Sequence, residues 1–227
     1  MDLETLKSNP KSIKQPIAIR GLVGGNNSPG NKTIAVSAGG GGTESIQLVE
    51  YDASTIIQTA SVAEGVDRKV NVTIQSGSGG GGTSANQCYA LPWSSGMAYM
   101  TRLNSACEYF FTPCLNGCAV LIDGEAASPT VVHVNADSPR LAVDGSFEQV
   151  AEIQTAVYSQ FYGSFAAALI DRDYISGNKL EILKPDDYLK IGVSSFAAVF
   201  GVKASASWTF YYNCRNLTKE LWPNFER

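Results

Sequence analysis

Apolar and polar residues alternate along much of this chain, in short runs separated by turn-forming residues. Segments 17–23, 32–37, 46–51, 55–59 and 69–75 are short and rich in β-branched residues. A period of two lays one row of side chains on each face of a sheet, so these segments predict strands. Segments 167–170, 180–183, 188–193, 196–204 and 208–213 read the same way, with Asp171, Gly177, Asn178 and Pro185-Asp186-Asp187 as turn signals between them. The period changes in 147–169, where Val150, Ile153, Val157 and Phe161 recur at helical spacing. Segment 217–222 predicts one or two helical turns. Residues 1–15 predict a flexible, loosely held N-terminal arm, leaving residues 16–227 as a single domain. Many strands with one or two helices alongside define an α+β arrangement, a β-sandwich flanked by helices.

Composition narrows the function classes. A chain of 227 residues suits one domain and buries a core without a metal or disulfide staple. The net charge of −4 gives no general attraction to nucleic acid or to anionic lipid, which leaves a protein or a small molecule as the expected partner. No apolar run approaches the roughly 20 residues of a membrane helix. The N-terminus has no apolar leader segment, so the protein is expected to stay in its cell of origin or to leave without a cleaved signal. Five cysteines is an odd number and no CxxC pair occurs, so reduced thiols are expected. With one histidine in the chain, no metal site is expected.

Two glycine runs, 39–42 followed by Thr43 and 79–82 followed by Thr83, invite comparison with phosphate cradles. Neither has the lysine of a P-loop nor the helix-opening pattern of a dinucleotide fingerprint. They predict β-loops that could flank a substrate surface.

The chemistry concentrates in 88–136. Cys118 ends the run Leu115-Asn116-Gly117-Cys118, and His133 is the sole histidine. Apolar residues 119–122, turn-like 123–129 and apolar 130–132 between them read as strand, loop, strand. A hairpin centred near Glu125 and Ala126 places Cys118 opposite His133, with Cβ atoms roughly 4.5–5.5 Å apart. An imidazole there can take the thiol proton and leave a thiolate nucleophile. Gly117 permits a tight turn, and amides near the start of the strand, those of the motif residues Leu115, Asn116 and Gly117 and of Cys118 itself, are available to a developing oxyanion. The base needs an orienter, for which Thr112, nearby backbone carbonyls, Asp123 and Asp137 are candidates. Plainer roles stand beside these. A free cysteine often packs as a small apolar side chain, and His133 lies in an apolar run, Val131-Val132-His133-Val134. Cys114 is a resolving thiol or, preferably, a packing residue.

Leu91-Pro92-Trp93, Phe110-Phe111-Thr112, Leu115-Asn116-Gly117-Cys118 and His133, in this order, resemble the Burkholderia lethal factor family of glutamine deamidase toxins. That family is related in its active-site pattern to the catalytic domain of the cytotoxic necrotizing factors. The resemblance covers about residues 88–133. It implies a β-sandwich with flanking helices, Cys118 as nucleophile, His133 as base and Thr112 as the third member, with no cofactor. Asn116 stands where the family has serine, and the loop from cysteine to histidine is slightly longer. Asparagine still donates and accepts hydrogen bonds, so activity is expected to survive. The implied substrate is a glutamine of a host protein, favouring an RNA-helicase translation initiation factor, whose modification inhibits translation. The implied route is from the bacterial cytoplasm to the host cytosol, and the implied state is a monomer. Three alternatives remain: deamidation or transglutamination of Rho-family GTPases, thiol proteolysis, and a non-enzymatic β-sandwich binding module.

Overall fold

A computed structural model describes residues 2–22, 32–38, 42–65, 68–75, 86–136, 147–189 and 196–223. Fourteen strands are present among them: β1 (Ile17–Arg20), β2 (Lys32–Ala38), β3 (Gly42–Tyr51), β4 (Ile57–Glu64), β5 (Val70–Gln75), β6 (Gln87–Ala90), β7 (Met97–Arg102), β8 (Tyr109–Phe111), β9 (Ala119–Glu125), β10 (Ser128–Asn135), β11 (Glu181–Leu183), β12 (Ala198–Ala204), β13 (Ser207–Cys214) and β14 (Leu217–Trp222). The helices are α1 (Leu3–Ser8), α2 (Phe147–Ile170) and α3 (Pro185–Tyr188). The strands form an eight-stranded sheet, β1-β5-β4-β6-β8-β12-β13-β14, and a six-stranded sheet, β11-β9-β10-β7-β3-β2. Pairing is antiparallel except for β1 with β5, β3 with β7 and β6 with β8.

The alternation in the sequence becomes layering in space. Tyr99, Val120, Ile122 and Val131 of the six-stranded sheet meet Tyr89, Phe110, Trp208 and Phe210 of the eight-stranded sheet in one buried cluster. The intervening residues of the six-stranded sheet, among them Ala98, Met100, Leu121, Val132 and Val134, face Phe161, Tyr162, Phe165 and Leu169 of α2. Each such aromatic ring removed from water stabilises the fold by about 1.5–3 kcal/mol. Gly201 of β12 leaves room for the Phe210 ring, which a Cβ would meet at 2.8 Å, and Phe210 packs edge-on against Phe110 at 5.6 Å between centroids. The architecture is mostly β-sheet in two sheets, and helices cover their outer faces. No helix among the described residues is long and apolar enough to cross a membrane.

Several expectations are corrected. The N-terminal segment is docked. Asp2 caps α1 by accepting from the Thr5 N–H at 2.9 Å, and Leu3, Leu6 and Ile13 are buried on the outer face of the eight-stranded sheet. A buried polar clamp then fixes residues 13–17. Asn213 accepts from the Ile17 N–H and donates to the Gln15 carbonyl, while the Thr218 hydroxyl donates to the Ile13 carbonyl. Residues 217–222 form strand β14 rather than helical turns. Arg215 and Asn216 both take positive φ, at 53° and 65°, the pattern of a tight hairpin turn that returns the chain against β13. Residues 167–170 complete the last turn of α2. Asp52 caps a 3-10 turn at Ala53–Ile56, so β4 starts at Ile57. Tyr188 ends α3, which Pro185 opens as a first-turn residue. Residues 190–193 of the expected strand lie outside the described residues, as do 39–41 and 79–83 of the glycine runs and Asp137. The side chains of Val150 and Ile153 also lie outside them, and Phe161 of the expected helical stripe is buried.

Candidate active site

The β9–β10 hairpin carries both residues of interest, in a register two residues from the expected one. His133 pairs with Val120, and Val134 with Ala119. Continued outward, that register sets Cys118 level with Asn135 and diagonal to His133, where Cβ atoms of a regular ladder stand roughly 7–8 Å apart. The turn is centred on Ala126 and Ala127, one residue later than expected, which moves the pairing by two. Face is preserved. Cys118 joins Val120, Ile122 and Val131 in the cluster between the sheets, and His133 shares their parity.

Thr112 follows β8 in the opposite sheet and is fully buried. Its Oγ1 lies 2.6 Å from His133 Nδ1 and 3.1 Å from the Leu91 carbonyl. A threonine hydroxyl has one proton. If it donates to Leu91, it accepts from His133, so the proton of the imidazole sits on Nδ1. Nε2 then carries the lone pair, and Nε2 is buried without a hydrogen-bond partner. No hydrogen bond joins it to Cys118. A buried polar atom without a partner is uncommon in folded proteins and calls for an explanation.

Burial dominates the electrostatics. It pushes His133 down to about 3 and the Cys118 thiol up to about 11, where the Asn116 backbone N–H opposes the shift only in part. At neutral pH the pair is therefore a neutral imidazole and a neutral thiol.

The Leu115-Asn116-Gly117 run is ordered by bonds the sequence does not reveal. Leu115 forms a bridge to Ala197 ahead of β12, its N–H donating to the Ala197 carbonyl at 2.7 Å. Asn116 is exposed. Gly117 takes φ +94°, in the left-handed region that favours glycine, although a Cβ there would meet nothing within 4 Å. Its N–H donates to Tyr188 Oη at 3.0 Å. The amides of Leu115, Asn116 and Gly117 were the expected oxyanion donors. Those of Leu115 and Gly117 are committed, to the Ala197 carbonyl and to Tyr188 respectively, and that of Asn116 acts on the cysteine thiol by lowering its pKa.

Of the other candidates, Asp123 points away. It lies five residues from Cys118 on the same strand, hence on the opposite face. Its carboxylate accepts from the N–H and hydroxyl of Ser176 and from the N–H groups of Gly177 and Lys179. Cys114 packs with the apolar cluster under the N-terminal segment, its Sγ 3.9 Å from the Ile17 carbonyl. The sequence reading missed Tyr162 and Tyr188. Tyr162 was hidden within a helix face and Tyr188 within an expected strand. Proline followed by two aspartates at 185–187 is a helix-start signal that could have relocated the latter.

No protein-family description matches the chain, and no curated protein matches it. Among solved structures, the C-terminal domain of CNFy from Yersinia pseudotuberculosis is similar at 11% identity, with a TM-score of 0.23. The match covers 60% of this chain and spans 62% of that domain's length. So loose a superposition defines neither fold nor chemistry for this chain.

Proposed function

We propose that this protein is a cysteine-dependent glutamine deamidase toxin that acts on a host protein. One observation carries the proposal: Thr112 holds His133 so that Nε2 faces the interior with no partner, on the same face of the hairpin as Cys118. Nε2 takes the Cys118 proton as the thiol attacks the carboxamide carbon of a substrate glutamine. The carbonyl electrons move onto oxygen, for which the N–H of Cys118 itself is the proposed donor. His133 returns the proton to the departing ammonia, leaving a thioester. Water, deprotonated by the same imidazole, then releases glutamate and restores the thiol. The substrate gains a negative charge, which disables a packed site because a buried unpaired charge is costly. The motif resemblance favours a translation initiation helicase as target over a Rho-family GTPase. On this proposal the protein works in the host cytosol, needs no cofactor and acts as a monomer.

The test is to treat a host-cell lysate with wild type, Cys118→Ser and His133→Ala, and to map glutamine-to-glutamate conversion by peptide mass spectrometry. Conversion by wild type alone is expected. Full activity of Cys118→Ser would sink the mechanism, and cleaved or cross-linked peptides would redirect it to proteolysis or transglutamination. The burial of Cys118 and its raised thiol pKa favour a second reading, a non-enzymatic binding module. That reading predicts a native thiol resistant to iodoacetamide and a lysate with no converted glutamine.

A further inference from the structure

Two tyrosines outside the motif control where Cys118 sits. The last pair in the β9–β10 ladder is Ala119 with Val134, and the same register continues to Gly117 with Ala136. Those two residues are not bonded directly. The Tyr162 hydroxyl lies between them, accepting from the Ala136 N–H at 3.3 Å and donating to the Gly117 carbonyl at 2.6 Å. A phenol oxygen thus replaces a ladder bond and keeps the hairpin splayed at the level of Cys118. Tyr188 holds the other side. Its hydroxyl accepts from the Gly117 N–H at 3.0 Å and donates to the Cys118 carbonyl at 2.7 Å. Both carbonyls flanking the cysteine amide bond chain and one of its neighbouring amides are tied to phenols. Each hydroxyl uses its one proton and one lone pair.

Both rings are anchored by the fold. Tyr162 is fully buried on α2, packed edge-on against Phe161 at 5.6 Å between centroids. Tyr188 is buried at the end of α3, and α3 is tied to α2 through the Asp186 N–H and Ser159 Oγ at 3.3 Å. We propose that Tyr162 and Tyr188 are positioning residues that fix the Gly117–Cys118 peptide in its splayed, left-handed pose. In that pose Cys118 lies in the cluster between the sheets, on the same face of the hairpin as His133. The bracket also explains why glycine is needed at 117. The φ of +94° is set by where the two hydroxyls hold the peptide, not by crowding, since the space beside it is open. The proposal rests on the deamidase function for its kinetic consequence and on geometry alone for its effect on the thiol.

The test uses Tyr162→Phe and Tyr188→Phe in the full chain, with folding checked by thermal melting. Each variant removes one oxygen and keeps the ring. Without its tie the Gly117–Cys118 peptide relaxes, the sulfur gains solvent and its burial penalty falls. The expected signature is divergent. Iodoacetamide alkylates Cys118 at least about fivefold faster, and its pH profile moves to lower pH, because more thiolate is present. Glutamine conversion falls at least about tenfold in kcat with KM within about twofold, as loss of reactant orientation requires. A merely structural role would lower the melting temperature without moving the alkylation profile. Folded variants that both alkylate and convert glutamine as wild type does would overturn the bracket. Faster alkylation in variants of a wild type that converts no glutamine would support the bracket and overturn the deamidase function instead.

Discussion

Asp123 and His133 sit on paired strands of one hairpin, both almost fully buried, and they are opposites. Asp123 receives four hydrogen bonds, which lock the 176–179 segment onto β9. Burial alone would raise its carboxyl, but the Ser176, Gly177 and Lys179 donors outweigh it and hold the group below the usual carboxylate range. His133 has one nitrogen tied to Thr112 and the other buried without a hydrogen-bond partner, a state shared among the described residues with Asn71 Oδ1 and Trp208 Nε1. Burial of an ionisable group therefore does not mark a functional site by itself. A buried group with every partner supplied by the chain is architecture. On the proposed function, one held rigidly with a lone pair left over, on the same face as a thiol, is prepared for a proton from that thiol.

The largest effect should come from the unsatisfied group. His133→Asn is expected to lower glutamine conversion by about 10²–10⁴ while costing about 1–2 kcal/mol in urea unfolding. Asp123→Ala should do the reverse, costing about 3–4 kcal/mol because several buried donors lose their acceptor, with kcat of the surviving folded protein little changed. If Asp123→Ala spared stability and abolished conversion, the contrast between the two would be wrong. Next is Thr112→Val, which keeps the shape but leaves the Leu91 carbonyl and Nδ1 unpaired. It should cost about 1–3 kcal/mol, and kcat should fall because the imidazole loses its orienting bond.

The two groups also separate by pH. His133 is depressed in the folded state to about 3, from an ordinary value of 6.5. Between those values the unfolded chain binds a proton that the folded chain does not. Stability is complete above about pH 6.5 and falls as acid is added, by at most about 1.4 kcal/mol per pH unit. The carboxyl of Asp123 is likewise depressed, so its contribution is present above the ordinary 3.8 and is lost only as pH falls below that. Urea titrations should therefore show wild type weakening from about pH 6.5 and His133→Asn flat until about pH 4. The smallest effect is expected at Gly117→Ala, about 1–2 kcal/mol for a Cβ at positive φ with no steric clash, read from the midpoint of the same titrations.

Much of this was legible in the chain. Alternation located strands such as β5, whose burial alternates along the chain, whereas β6, β7 and β8 are buried along nearly their whole length, carry no such period and were not read as strands. The strand–turn–strand pattern around 118–133 put Cys118 and His133 on one face, whereas Thr112 entered as one of several nearby candidates and through the motif resemblance, and its contact with the histidine across the sheets was not legible. Parity alone excludes Asp123, at an odd offset from Cys118. Three further things were not legible. The hairpin register depended on which of several turn-compatible residues forms the bend. Residues 217–222 carry an ambiguous period, and β13 across the turn decided their state. The tyrosine bracket joins residues 45 and 70 positions from the motif, a distance at which local pattern carries no information. The docked N-terminus was misjudged for a related reason. Leu3, Leu6 and Ile13 look sparse until the sheet face that receives them exists.

Thr112 directly follows β8 of the eight-stranded sheet, and His133 lies in β10 of the six-stranded one. Neither layer alone holds both groups, so the imidazole gains its orienting bond only when the two layers close on each other. On the proposed deamidase function, a chain whose strands have formed while its layers are still apart converts no glutamine.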